Sequence, residues 1–336
     1  MQYRILGRTG LRVSVIGFGG IPVQRISTEE AKRVILKAEE TGVNFLDSAR
    51  GYSVSEEFIG EALVDRRGKW IIATKSMARD KASMARDIEI SLKNFKTDYI
   101  DLYQFHNIRT KADLDKVLSE DGAYTALLEA KAAGKIGHIG ITSHSVDLLK
   151  IAVETGKFET IMYPYNIVEN QGEELFRRAM ELNIGVIAMK PMAGGAIENG
   201  TLALKYILEN QCITTAIPGM AEISEVEENA RVADNVTPLT ADEKQNINKI
   251  IDGLGKEFCR RCGYCAPCTQ NIDIPSMFVL SGYKERYNLA AWGEERYFSL
   301  QNRAKDCIEC GVCENRCPYN LPIRTMLKKV RKTFNE

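Results

Sequence analysis

An aspartate, a tyrosine, a lysine and a histidine stand near the ends of three short apolar runs. Asp47 lies in FLDSA, Tyr52 follows five residues later, Lys75 lies in IATKS and His106 in YQFHN. Together these types suit protonation of a carbonyl oxygen while hydride arrives at its carbon. A phenol has a reference pKa near ~10, too high for an efficient donor at neutral pH unless something stabilises the phenolate. An ammonium such as Lys75 does that, because opposite charge favours the ionised form, and Asp47 would neutralise and position the lysine. His106 would hydrogen-bond the substrate oxygen and orient it. Singly, each residue has a plainer reading: a loop ion pair for the aspartate or lysine, a satisfied core residue for the histidine. The ordered set favours chemistry.

A second constellation is made of sulfur. Of nine cysteines, only Cys212 precedes residue 259. Cys307-x2-Cys310-x2-Cys313-x3-Cys317-Pro318 reproduces the bacterial ferredoxin ligand run, in which three close thiolates wrap a cubane and the fourth ligates the other cluster. Cys259, Cys262, Cys265 and Cys268 form a similar group with one residue fewer before its last cysteine and no proline after it. Eight ligands match two 4Fe–4S clusters. The expected pairing is crossed: Cys259, Cys262, Cys265 and Cys317 on one, Cys307, Cys310, Cys313 and Cys268 on the other. Paired C-x2-C runs also suit structural zinc; the triplet spacing with Cys-Pro favours iron–sulfur. Nothing about the chain reads as a secreted disulfide framework. Cys212, ending a helix, is expected to be an inert buried thiol.

These residues need elements to carry them. From residue 13 to about 233 short β-branched runs alternate with amphipathic helical stretches. The runs are RVSVIGFGG, NFLDSA, WIIATKS, YIDLYQFH, KIGHIGITS, TIMYPYN, GVIAMKP and ITTAIPG. Ala31, Val34, Ile35 and Ala38 follow a helical stripe behind a Ser27–Glu30 capping box, and Leu175, Ala179 and Leu182 repeat it later. Strands apolar on both faces and separated by helices indicate a parallel sheet. Eight such units predict an α/β protein built as a closed (β/α)8 barrel, whose active site lies at the C-terminal strand ends. Residues 2 to 12, with the Gly7–Gly10 turn, read as a hairpin placed before it.

After Asp234 the rhythm stops. A helix over about Ala241 to Leu254 leads to Gly253 and Gly255, which read as a hinge. The expected domains are the barrel over 1–255 and a small, mainly helical ferredoxin-like domain over 256–336. The chain has 45 basic and 45 acidic residues, so a nucleic-acid partner, which would need a basic surplus, is not expected. The run Lys328, Lys329, Arg331, Lys332 reads as a solvated terminal helix. No signal-like segment or long apolar stretch appears, so the expectation is a soluble cytoplasmic protein with no membrane partner.

DSARGYSVSE, ATKS and QFHN resemble the catalytic segments of the aldo-keto reductase family, and IMYPYN, MKPMAGG and IPG…EEN resemble its later cofactor segments in the same order. The resemblance spans about residues 3 to 235. It implies a nicotinamide-dependent carbonyl reductase acting on a small carbonyl or alcohol substrate. Tyr52 would be the general acid, tuned by Lys75 and Asp47, with His106 orienting the carbonyl. It implies cofactor contacts at Gly20, Ser143, His144, Met189, Lys190, Pro191, Gly219, Glu228 and Asn229. Ser143 matches the serine that binds the nicotinamide carboxamide, and Glu228 with Asn229 the adenine-binding pair. Where many family members hold the 2′-phosphate of NADP(H) with a lysine and an arginine, this chain has Gly219 and Glu225, with Glu222 nearby. Carboxylates repel a dianionic phosphate, so NAD(H) is favoured over NADP(H), with dual use also allowed. Met162 replaces the usual carboxamide-binding glutamine, His144 the usual asparagine and Met189 the ring-stacking tyrosine. A cluster moves one electron where hydride transfer moves two, and no flavin motif bridges them. The clusters are therefore expected to be structural, oxygen-sensing or serving a redox protein partner. The cysteine module also replaces the family's C-terminal tail, which borders the substrate pocket. Two rival readings are an electron-transfer protein whose barrel docks a redox partner and a zinc-stabilised scaffold.

Overall fold

The computed structural model describes residues 1–254, 257–261, 263–286 and 289–336. The chain divides into two compact units, one of Met1–Asn166, Asn170–Pro191 and Gly200–Leu239, the other of Ile167–Glu169, Met192–Asn199 and Thr240–Glu336.

The first unit begins with an antiparallel hairpin, β1 (Tyr3–Ile5) and β2 (Arg12–Ser14), in register Tyr3↔Ser14. Gly7 turns the chain at φ 53°, and a Cβ there would fall 2.2 Å from the Gly185 nitrogen, so only glycine fits. Eight parallel strands follow, hydrogen-bonded in chain order. They are β3 (Phe18–Gly19), β4 (Phe45–Asp47), β5 (Ile71–Ser76), β6 (Ile100–Phe105), β7 (Ile136–Thr142), β8 (Thr160–Pro164), β9 (Gly185–Met189) and β10 (Thr215–Ile217). The apolar run RVSVIGFGG is thus shared: its first three residues complete the hairpin, Phe18–Gly19 forms the first barrel strand, and the residues between them bridge to the last. Closure between first and last strands is made by Gly17 N–H to the Ala216 carbonyl at 2.8 Å and Ala216 N–H to the Val15 carbonyl at 2.9 Å. The predicted (β/α)8 barrel is what the chain forms.

The connecting helices are α1 (Thr28–Glu40), α2 (Ser55–Ala62), α3 (Lys81–Phe95), α4 (Lys111–Leu118), α5 (Ala123–Ala132), α6 (Val146–Glu154), α7 (Glu173–Glu181), α8 (Gly200–Glu209) and α9 (Ile223–Asp234). In α1 the Ser27–Glu30 capping box is present and Ala31, Val34, Ile35 and Ala38 are buried. In α7 the buried stripe is Leu175, Phe176 and Ala179, and Leu182 is the half-buried cap residue after it. Inward-facing Phe45, Ala73, Leu102, Met162, Ile187 and Ile217 fill the barrel, joined at its floor by Leu6 and Val13 of the hairpin. Bulky side chains dominate there, as in a packed barrel interior.

The second unit contains α10 (Ala241–Leu254), α11 (Ile274–Glu285), α12 (Ala290–Phe298), α13 (Val312–Asn315) and α14 (Ile323–Thr333). Its core gathers Met277, Tyr297, Ile323, Leu327 and Phe334 with two cysteines, Cys265 and Cys313. Tyr297 and Phe334 stack with ring centres 3.8 Å apart. Of the expected hinge, Gly253 lies inside α10, and Gly255 lies outside the described residues. Among the described residues no helix is long and apolar enough to cross a membrane.

Candidate active site and cysteine sites

Parallel strands deliver their C-terminal ends to one side of the barrel, and all four sequence-predicted residues arrive there. Asp47 ends β4, Lys75 lies in β5, His106 follows β6, and Tyr52 sits in the loop between β4 and α2. Lys75 and Asp47 are each 2 % exposed. The Lys75 ammonium donates to Asp47 and, at 2.5 Å, to the Ser48 carbonyl oxygen. The second Asp47 oxygen accepts from Gln104 Nε2 at 3.1 Å. Burial draws Lys75 below the ordinary lysine range and Asp47 above the ordinary carboxylate range; each charge opposes that drift in the other.

Lys75 Nζ lies 5.1 Å from the centre of the Tyr52 ring. The His106 ring meets Tyr52 edge-on, with centres 5.8 Å apart and planes at 89°. His106 keeps an edge at the surface, but its Nδ1 is sealed off and has no hydrogen-bond partner among the described residues. Burial, and then the nearby cations Lys75, Arg79, Lys190 and Arg109, push its pKa down to about 3, so the imidazole is neutral at ordinary pH. Gln104 was not singled out by sequence reasoning. The signal was available: an amide two residues before His106, on the face of the strand that carries the buried Ile100 and Leu102.

The residues expected to meet a dinucleotide are scattered over later strand ends, and each has a definite local setting. Ser143 is fully buried; its hydroxyl donates to the Ile108 carbonyl at 2.6 Å and accepts from Ser145 N–H at 3.0 Å. His144 beside it is half-buried. Met189, half-buried, packs against the barrel cluster that contains Met162. Lys190 takes φ 57°, and its carbonyl accepts from Asn166 Nδ2 at 3.0 Å just before Pro191. Gly20 has both backbone groups engaged: its N–H donates to the Asp47 carbonyl at 2.8 Å, and its carbonyl accepts from Ser55 Oγ at 2.8 Å. A Cβ at Gly219 would lie 2.7 Å from Pro22 Cγ. On α9, Asn229 is buried and Glu228 exposed. The Glu225 carboxylate turns back on the start of that helix, accepting from Ala221 N–H at 2.6 Å and Glu222 N–H at 3.1 Å. It thereby takes donors that an anion at a helix N-terminus would use.

In the second unit one recess is lined by Cys268, Cys307, Cys310 and Cys313, with Thr269 and Arg324 at its edge. Cys259, Cys265 and Cys317 pack on the same unit's core. Cys262 lies outside the described residues. Among the described residues the thiols are not drawn together as ligands of a single metal ion. Cys310 Sγ lies 3.3 Å from Thr269 Oγ1. That contact, with the Val312 N–H, lowers the Cys310 pKa toward the thiolate that a cluster ligand requires. Four thiols around one recess, one of them with its pKa drawn down, fit a cubane. Cys212 follows the end of α8 and is half-buried rather than buried; what burial it has pushes its thiol up, as an unreactive cysteine requires.

Residues 15–201 match the Aldo/keto reductase family and residues 258–322 match a 4Fe-4S dicluster domain. The chain is 30% identical to the holo form of aldo-keto reductase AKR11C1 from Bacillus halodurans, with a TM-score of 0.65 over 74% of this chain and 96% of that one. It is 28% identical to the oxidoreductase YqkF of Bacillus subtilis, covering 72% of this chain and 94% of the relative. It is 27% identical to the L-galactose dehydrogenase of Arabidopsis thaliana, covering 73% and 92%. A complete parallel barrel, four polar groups at one rim and these matches lead to one statement: the chain is an oxidoreductase belonging to the aldo/keto reductase family, with a 4Fe-4S dicluster domain at its C-terminal end.

Proposed function

We propose that the barrel reduces an aldehyde or ketone to the alcohol, or runs the reverse, with Tyr52 as the proton donor. The observation that carries this reading is the buried Lys75 ammonium, hydrogen-bonded by Asp47 and Ser48, 5.1 Å from the centre of the Tyr52 ring. When bound, the nicotinamide supplies the hydride. Tyr52 Oη gives its proton to the substrate oxygen, and Lys75 offsets the charge left on the phenolate. Asp47, held by Gln104, keeps Lys75 charged where burial disfavours an ammonium. His106, neutral, hydrogen-bonds the carbonyl oxygen and turns it toward Tyr52 without competing as an acid.

The family typically uses NAD(P)H. Ser143 has already committed its hydroxyl proton, so it would meet the nicotinamide carboxamide as an acceptor, with His144 and Met189 beside it. Lys190, Pro191 and Gly219 would follow the phosphates, Glu228 and Asn229 the adenine. Gly20 serves by letting neighbouring backbone approach. The Glu225 carboxylate at the start of α9 disfavours a 2′-phosphate, so the reading leans to NADH. Cys268, Cys307, Cys310 and Cys313 would hold one 4Fe–4S cluster and Cys259, Cys262, Cys265 and Cys317 the other, in a domain over 256–336 that follows in sequence a barrel over 1–255. Such a cluster exchanges single electrons or braces the fold, and it suits a reducing compartment such as the cytoplasm.

The test is Tyr52→Phe in anaerobically purified protein, with NADH and NADPH titrated on the same sample. Turnover should fall by roughly 10²–10⁴, the usual worth of a positioned acid, while dinucleotide affinity is kept. A Tyr52→Phe protein with full turnover would show that the acid is another group.

A further inference from the structure

Behind the four rim residues lies a carboxylate that the reaction as described does not use. Glu56, near the start of α2, is fully buried. A bare carboxylate in such a place is strongly disfavoured, so its partners matter. One Glu56 oxygen accepts from Thr74 Oγ1 at 2.7 Å and Ser91 Oγ at 2.9 Å. The other accepts from Arg50 Nη1 at 2.8 Å and Asn94 Nδ2 at 3.1 Å. Each partner sits beside the proposed machinery or braces it. Arg50 lies between Asp47 and Tyr52, and its N–H donates to the Lys75 carbonyl at 2.9 Å. Thr74 immediately precedes Lys75 on β5. Ser91 reaches the Tyr103 hydroxyl, 3.2 Å away, on the strand that ends before His106. Asn94 belongs to α3, against which α2 presses so closely that a Cβ on Gly60 would sit 2.1 Å from the Asn94 carbonyl oxygen. Ser55, the first residue of α2, donates its N–H to the Tyr52 carbonyl at 2.8 Å, so the seat of α2 sets where the Tyr52 loop begins.

We propose that Glu56 is a positioning residue for the reduction: its carboxylate fixes the Tyr52 loop against the Lys75 strand, and its charge helps to hold Lys75 as an ammonium. The inference rests on the roles given above to Tyr52 and Lys75. Glu56 is the second negative charge, after Asp47, that acts to keep Lys75 protonated. The groups facing Lys75 are Asp47, Glu56, Tyr52 and His106. Those around Glu56 are Arg50, the Tyr103 hydroxyl and, 3.7 Å from Arg50 Nε, the Asp87 carboxylate.

The experiment measures reduction of 4-nitrobenzaldehyde by NADH across pH for the full chain, Tyr52→Phe, Glu56→Gln and Glu56→Asp. Removing a negative charge makes the first proton of the coupled Tyr52–Lys75 pair leave at lower pH. Glu56→Gln should therefore lose about tenfold or more in kcat with KM kept, and its alkaline limb should move acidward by roughly half a unit or more. Glu56→Asp keeps the charge on a shorter arm; its limb should return to the parent position while kcat stays low. A folded Glu56→Gln protein with parent kcat and limb overturns the proposal, and so does a fall in kcat with an unmoved limb, which would assign a purely structural role. If Glu56→Gln does not fold, Thr74→Val and Ser91→Ala remove two donors conservatively; a parent kcat in both overturns it. Full turnover in Tyr52→Phe would instead bring down the reading on which the inference rests. A dead Tyr52→Phe beside an unaffected Glu56→Gln defeats the inference alone.

Discussion

The barrel rim and the cysteine recess solve the problem of holding reactive groups in opposite ways. Behind Tyr52 the buried charges are answered by the protein itself: Lys75 by Asp47 and Ser48, Asp47 also by Gln104, Glu56 by four donors. In the recess, Cys310 is exposed, Cys268 and Cys307 are half-buried, and only Cys313 is fully in the core. The rim is organised by hydrogen bonds fixed when the barrel closes. The thiols are held by chain spacing, core packing and a few weak contacts such as Thr269 on Cys310, and a group that binds several of them must supply the rest of the order.

The sharpest way to break this contrast is to take away the inorganic groups proposed for the cysteines. Each unit has one tryptophan: Trp70, 2 % exposed and bonded to Glu39, in the first, and Trp292, packed on Tyr283, in the second. In Trp70→Phe and Trp292→Phe proteins each unit is followed by one fluorophore. Stripping iron, or Cys313→Ser, should abolish the cooperative transition reported by Trp292 and leave that of Trp70 in place. A Trp292 transition that survives iron removal would show that the second core stands unaided, and the contrast would fail.

The next effect belongs to the rim. Asp47→Asn leaves a buried ammonium with its counter-charge gone, and breaking such a pair typically costs about 3–5 kcal/mol. The Trp70 transition should drop accordingly. Lys75→Met together with Asp47→Asn removes both charges and should recover much of the loss, while turnover stays absent. Equal stability in Asp47→Asn and the parent would mean that the Ser48 carbonyl alone satisfies the lysine.

Much of this arrangement was readable beforehand, for reasons that differ by residue. Eight strands and their helices announce themselves through period, and Asp47, Lys75 and His106 stand where apolar runs meet loops. The capping box at Ser27 is a local device and appeared where its spacing placed it. Glu56 and Gln104 escaped because their meaning depends on partners far along the chain: parallel register sets Lys75 beside Gln104, and the packing of α2 on α3 brings Asn94 to Glu56. Gly20 was grouped with the cofactor by resemblance, and its backbone contacts with Asp47 and Ser55 could not be read from spacing. RVSVIGFGG looked like one strand because periodicity does not show where a chain leaves one sheet for another.

The smallest effect is a pH dependence that separates His106 from the carboxylates. Its folded pKa, about 3, lies below the ordinary imidazole value of 6.5, so the unfolded chain binds the extra proton first. Stability from this group is complete above about pH 6.5 and declines as pH falls toward 3. Between pH 7 and 5 the loss should be about 1–2 kcal/mol, kept modest because part of the ring reaches the surface. Depressed carboxylates act later. Burial alone would raise Glu159, yet bonds from His138 and Lys131 bring it down to about 2, so its contribution starts to go only below the ordinary carboxylate value of 4.5. Urea unfolding of the barrel, read through Trp70 at pH 7 and pH 5, should therefore show a slope that His106→Asn removes. An identical slope in that variant would mean that the imidazole is not held neutral by its surroundings, and with it would go the claim that His106 turns the carbonyl without competing as an acid.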